Sequence, residues 1–104
     1  MIGNLYENWP ARLPEELVDV LAEGAGTRIK RMVSDGHASP DGFWYDQEQN
    51  EWVMLVSGSA VLEFEDRKQE MNPGDYLVIA AHQKHRVVVT SSTEKTIWLA
   101  VFYD

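Results

Sequence analysis

The sequence predicts an all-β domain, an antiparallel sandwich or barrel with one short N-terminal helix. Two observations carry this. Short apolar runs recur along the chain, separated by Gly, Pro, Asn and Asp turn signals, and no helical segment falls between consecutive runs. A parallel α/β fold needs such helices between its strands and is excluded. The 104 residues suit one domain.

The elements follow in order. Residues 1–26 read as a leader and short helix packed on the barrel, and 27–104 as the barrel itself. The leader carries Trp9 and Pro10. Pro14 suits a first helical position, Glu15 and Glu16 favour the positive end of a helix dipole, and Gly24 suits the helix end. Leu17, Val18, Val20 and Leu21 supply its apolar stripe.

Past Gly26 the period changes. Residues 27–33 alternate loosely as a strand, and 34–42 form a loop containing Asp35-Gly36 and Ser39-Pro40-Asp41-Gly42. Residues 51–57 and 60–64 flank Gly58 as a hairpin, and residues 63–68 read as a solvated hairpin end. Asn72-Pro73-Gly74-Asp75 is a turn leading into a strand at 76–79, and strands at 85–89 and 96–102 close the chain.

Several of these strands are apolar on both faces. In the strand at 51–57, Glu51, Val53 and Leu55 share one face, and Trp52, Met54 and Val56 the other. A sheet with one wet face would alternate apolar with polar. The pattern therefore predicts a barrel interior on one side and a cover on the other, either the N-terminal segment or a second copy in a homodimer.

Charge and composition narrow the partners. The net charge is −8 and the pI about 4.7, with no basic patch, so nucleic acid is not expected as a partner. No cysteine is present, which removes disulfides and thiolate chemistry. No signal peptide or membrane-length apolar run of about 18 residues is seen, and a cytoplasmic location is expected.

The chemistry-bearing residues are few. His82 and His85 lie three apart, and Glu51 opens a strand after the polar run 46–50. Strand parity points Glu51 into the barrel mouth, where a carboxylate must be paired, protonated or bound to a cation. The same parity puts Tyr45 and Gln47 on Glu51's face. Phe43-Trp44-Tyr45 offers a stacking wall for a ligand or a packed rim. His37 reads as a solvated loop residue.

Two stretches carry a family resemblance. Glu51, six residues and then Gly58 is similar to the second half of the first cupin motif. The run from Gly74 to His85 resembles the second motif, in which a Gly begins a strand and a His follows a tight turn. Over residues 28–103 the chain thus resembles a small single-domain cupin, a double-stranded β-helix or jelly-roll barrel.

In metal-binding cupins the first motif supplies two His and the Glu, and the second a further His. Here Tyr45 and Gln47, or Trp44 and Asp46, hold the first two positions, so only Glu51 and His85 carry over. Ala80 replaces the second motif's Pro and His82 its turn Gly.

Three functions stay open for a small-molecule pocket. A divalent metal (Fe, Mn, Ni or Zn) would use Glu51, His85 and His82 with Gln47 or Asp46, and Tyr45, Asp46 and Trp44 would contact the ligand. A metal-free isomerase or epimerase would use Glu51, His85 and Tyr45 as acid and base. A binding or sensing module would hold Glu51 and His85 as a structural pair. An acid–base or metal site needs a cavity beside the pair; a structural pair is hydrogen-bonded to itself with no cavity.

Overall fold

The structure, a computed structural model, describes residues 2–104. Eight strands follow in chain order: β1 (Leu17–Gly24), β2 (Thr27–Ser34), β3 (Asn50–Ser57), β4 (Ala60–Phe64), β5 (Lys68–Met71), β6 (Tyr76–Ile79), β7 (His85–Thr90) and β8 (Thr96–Tyr103). All the pairings are antiparallel. A five-stranded sheet runs β1-β2-β8-β3-β6 and faces a three-stranded sheet, β5-β4-β7. This is a jelly-roll barrel. Among the described residues there is no helix long and apolar enough to cross a membrane.

The N-terminal helix expected after Pro14 is not formed; those residues are β1. The physical reason lies at both of its ends. Ala25 (φ 33°) and Gly26 (φ 77°) form a two-residue turn with both residues left-handed, the geometry that joins twisted antiparallel strands. Leu17↔Val33 closes the other end of the ladder. The apolar spacing that mimics a helix has its own cause. The register shifts between Val20 and Ala22, so Leu21 is an extra residue and the two-residue alternation slips. Val18 and Val20 are also β-branched and at ease in a strand.

β5 is the other element absent from the sequence reading. Its polar Lys68, Gln69 and Glu70, two of them charged, are exposed and only Met71 is buried. Those charges sit on an edge strand, where they discourage pairing with another chain.

Between the sheets lies one apolar core. Leu55 and Ala100 are fully excluded from solvent, with Val53, Leu62, Phe64, Ile79 and Trp98 packed around them. On β3 the inner face is Glu51, Val53 and Leu55, as the parity reading required. Glu51 is therefore the polar end of an apolar stripe.

The long segment between β2 and β3 runs beside β7. The Ser39 amide donates to the Val87 carbonyl at 2.9 Å, and Thr90 Oγ1 donates to the His37 carbonyl at 2.7 Å. Tyr45 and His85 then form an isolated antiparallel bridge. This segment fixes where Tyr45 and Gln47 stand.

Candidate functional site

The open end of the barrel holds a cavity of about 200 Å³. Val53, Leu62, Ile79, Trp98 and Phe102 form apolar walls, and Glu51, His85, Gln47 and Tyr45 gather at its polar end. β3 delivers Glu51, the first residue of β7 delivers His85, and the bridge at Tyr45 delivers the other two.

His85 is held from two sides. Its Nδ1 lies 3.0 Å from the Gln83 carbonyl oxygen, which can only accept, so Nδ1 carries the proton. Nε2 of the neutral ring then presents a lone pair. The Tyr45 ring stacks on the imidazole, with centroids 5.2 Å apart and planes 22° from parallel.

Glu51 is 5% exposed, and Gln47 Nε2 donates to its Oε1 at 3.1 Å. His85 Nε2 lies 3.8 Å from that same oxygen, beyond hydrogen-bonding distance. The two groups share a cavity without saturating each other.

Burial sets their protonation. It pushes the Glu51 carboxyl up from its ordinary value, against the Gln47 hydrogen bond and the Lys30 charge. It also holds the His85 imidazole below its ordinary value, against the Gln83 carbonyl contact. Tyr45 is raised, first by burial and then by the carboxylates of Glu16 and Glu51. Burial thus shifts the carboxyl toward its protonated form and the imidazole toward its neutral form.

Four of the residues singled out in the sequence meet here: Glu51, His85, Tyr45 and Gln47. The others do not join them. His82 takes a left-handed backbone (φ 62°), and its ring turns to the surface, where Nδ1 lies 2.7 Å from Asp46 Oδ1. That contact also draws Asp46 outward. Trp44 points away from the cavity, its ring 6.0 Å from the Arg86 guanidinium. His37 accepts from the Asp35 amide in its own loop.

Two lining residues were not anticipated. Lys30 enters because the register of β2 against β8 turns Lys30 and Met32 to the barrel interior. Glu16 reaches the cavity because β1 is a strand, and Ser34 Oγ donates to it at 2.8 Å.

The donor set decides the metal question. The cavity offers one imidazole nitrogen, the carboxylates of Glu51 and Glu16, and one neutral amide. Among the described residues no group of three His, Cys, Asp or Glu side chains is placed to share a cation. With His82 turned away, the set falls short of the two imidazoles and a carboxylate that an open divalent site commonly uses, and these residues do not fit a resident metal.

A jelly-roll barrel with a polar cluster at its mouth defines the class, and the comparisons agree. Residues 32–102 match the family described as Cupin domain, of the cupin-2 type. The chain belongs to that family.

A Ralstonia eutropha JMP134 protein, provisionally assigned as a mannose-6-phosphate isomerase, is 48% identical with a TM-score of 0.94, over 100% of this chain and 98% of that one. A cupin superfamily protein from Desulfitobacterium hafniense DCB-2 is 22% identical (TM-score 0.74, 91% and 83% covered). KdgF from Halomonas sp. is 19% identical (TM-score 0.74, 97% and 92% covered). These last two show the fold alone. No curated protein sequence matches.

Proposed function

We propose that this cupin is an acid–base catalyst of the isomerase class, acting on a small hydroxycarbonyl compound without a metal. One observation carries the reading: His85 Nε2 and Glu51 Oε1 face the same cavity 3.8 Å apart, unbonded to each other. A purely structural pair would close on itself and leave no cavity beside it.

The pairing suits a proton moved between neighbouring atoms. His85 Nε2 takes the proton from the carbon beside a carbonyl, and the C–H electron pair becomes a C=C bond. Glu51 gives its proton to the carbonyl oxygen, which receives the C=O π pair, and an enediol results. His85 then returns its proton to the adjacent carbon, while Glu51 recovers one from the neighbouring hydroxyl. Gln47 orients the carboxyl throughout, and the apolar walls keep the competing solvent out. The provisional assignment of the Ralstonia relative to a sugar isomerase supports the same class.

Solvent exchange in D₂O tests this. A panel of small aldoses, ketoses and keto acids is followed by proton NMR for deuterium entry beside the carbonyl. Exchange is expected with at least one compound, falling about 100-fold or more in Glu51→Gln and in His85→Asn. Exchange that survives both substitutions, or none above buffer across the panel, rejects the proposal.

We also propose that the protein is a homodimer joined through the outer face of its larger sheet. Trp52 pairs with Val78 and Val101, and Met54 with Tyr76 and Leu99, so three adjacent strands present one apolar grid. Tyr76 is 65% and Val78 54% exposed, an outlay of apolar surface that a second copy would cover. Light scattering after gel filtration should give twice the chain mass, and Trp52→Glu should halve it; a monomeric wild type ends this proposal.

A further inference from the structure

We infer that the substrate of this pocket carries an oxyanion, a carboxylate or a phosphate monoester, which Arg28 and Lys30 receive at the cavity mouth. The inference rests on the acid–base reading of the same cavity and adds the group that anchors the substrate.

Arg28 and Lys30 are two residues apart on β2 and so lie on one face of it. That face is the inner one, because Lys30 and Met32 line the cavity. Both cations stand over the Phe102 ring, the guanidinium carbon 5.6 Å and the ammonium nitrogen 5.0 Å from its centre. Phe102 is a wall of the cavity and also of a shallower groove. That groove leads outward past Lys30 and Gln47 to Arg28. One aromatic ring thus joins the reacting end of the cavity to the two cations.

Neither cation is held in an ion pair. Among the described residues Arg28 and Lys30 take part in none of the ion pairs. Arg28 directs one donor to a neutral partner, Gln49 Oε1, at 2.9 Å. Two carboxylates border the groove. Asp104 accepts from Gln49 Nε2 and lies against the Gly26 turn, and Glu48 is exposed. Lys30 also faces the carboxylates of Glu51 and Glu16 in the cavity, without closing an ion pair on either. Both cations are half-buried, and charge withdrawn from water without a contacting counterion is costly. An oxyanion arriving with the substrate removes that cost, and the guanidinium fork suits two of its oxygens.

The sheet register sets the spacing. Arg28 pairs with Phe102, and Phe102 with Glu51, so the three stand on one rung of adjacent strands. At a strand spacing of about 4.8 Å, Arg28 and Glu51 are separated by about 10 Å at the backbone. The oxyanion therefore lies several bonds from the carbon that His85 deprotonates. That geometry selects a hydroxycarbonyl acid or a sugar phosphate over a neutral sugar.

The full chain is titrated at pH 7 and low salt with inorganic phosphate and, separately, with succinate, while NMR follows the Arg28 Nε–H and Lys30 ammonium signals. Saturable shifts of both residues are expected. Saturation by phosphate alone identifies a phosphate monoester, and saturation by succinate alone a carboxylate. The double variant Arg28→Gln/Lys30→Gln, checked for an unchanged melting temperature, should weaken binding at least tenfold. Lys68→Gln, on the far edge strand, should leave binding unchanged.

If neither anion moves these signals, or the double variant binds as the wild type does, the inference is overturned. Glu51→Gln separates it from the parent reading. Anion shifts that persist there, with no deuterium exchange by the wild type, would refute the acid–base reading and leave the subsite standing. Exchange without anion shifts would do the reverse.

Discussion

Tyr45 and His85 are joined twice through their backbones and once through their rings. The Tyr45 amide donates to the His85 carbonyl at 2.7 Å, the His85 amide donates back at 3.2 Å, and the rings stack. The phenol is thus part of what keeps water from the imidazole. Tyr45→Ala should raise the His85 pKa toward its ordinary 6.5, because burial is the main cause lowering it. Tyr45→Phe keeps the ring and should leave the lowered value in place. NMR titration of the His85 ring reads both variants; equal pKa values in the two would show that the ring does not shield it. The Ala variant should also lose about 1 kcal/mol of stability from the aromatic contact.

Glu51 gives the protein a signed pH dependence. Its ordinary pKa is 4.5 and burial raises it in the folded state. Between 4.5 and that raised value the folded chain holds a proton that the unfolded chain has released. Stability therefore falls as pH rises through this window. His85 acts oppositely: its folded pKa lies below 6.5, so stability falls as pH drops from 6.5 through the lowered value. Glu51→Gln removes only the first effect. Its melting temperature should exceed the wild type's at pH 8 by a few degrees, about 1 kcal/mol, with the advantage shrinking toward pH 4. A difference that does not vary with pH would show that Glu51 carries no shift.

The parts of the fold that could be read in the sequence are those set by local pattern. The two-sided stripe of β3, the strand break at Gly58 and the turn at Gly74 each need only near neighbours, and the motifs around Glu51 and His85 add the family. The hairpin expected across Gly58 does not form: β3 pairs with β6 and β8 in one sheet and β4 with β5 and β7 in the other, so Gly58 is where the chain crosses between sheets. β1 was misread because a bulge at Leu21 breaks its alternation into spacing that a helix also produces. The site divides the same way. Tyr45 and Gln47 follow from parity with Glu51. The outward turn of His82 depends on a left-handed backbone at a position where the motif has Gly. Lys30 and Glu16 enter the cavity through the register of β2 against β8 and β1, a long-range relation that no local window contains.

Gly58 is fixed by its neighbours across the sheet. Its φ is +86°, and a Cβ there would fall 2.6 Å from Thr96 Cα and 2.9 Å from the Lys95 carbonyl oxygen. Backbone at that distance cannot swing aside as a side chain would. Left-handed strain alone costs about 1–3 kcal/mol, and the collision adds to it. Gly58→Ala should lower unfolding free energy by about 3 kcal/mol or more, seen as an earlier urea midpoint at unchanged slope. Gly42 is also left-handed, yet a Cβ there meets nothing within 4 Å, so Gly42→Ala should cost only the strain. Equal losses at the two sites would mean that the Thr96 contact does not matter.

Arg31 ties the N-terminal segment to the barrel and, through it, to the cavity. Arg31 is 4% exposed, and its guanidinium donates to the Asp19 carboxylate and to the carbonyls of Leu5, Glu7 and Asn8. The Trp9 ring lies 5.6 Å from it. One planar fork thus satisfies four acceptors in two directions, which an ammonium on a flexible stem cannot reproduce. Arg31→Lys keeps the charge, so any loss reports geometry. A cost of about 2–3 kcal/mol is expected, reduced from the fully buried case because Asp19 is partly solvated. The same segment continues through buried Leu13 to Glu16 at the cavity wall. In the lysine variant, amide exchange should quicken across residues 5–9 and the Tyr45 and His85 ring signals should shift. Faster exchange with unmoved ring signals would show that the latch holds the segment but does not reach the site.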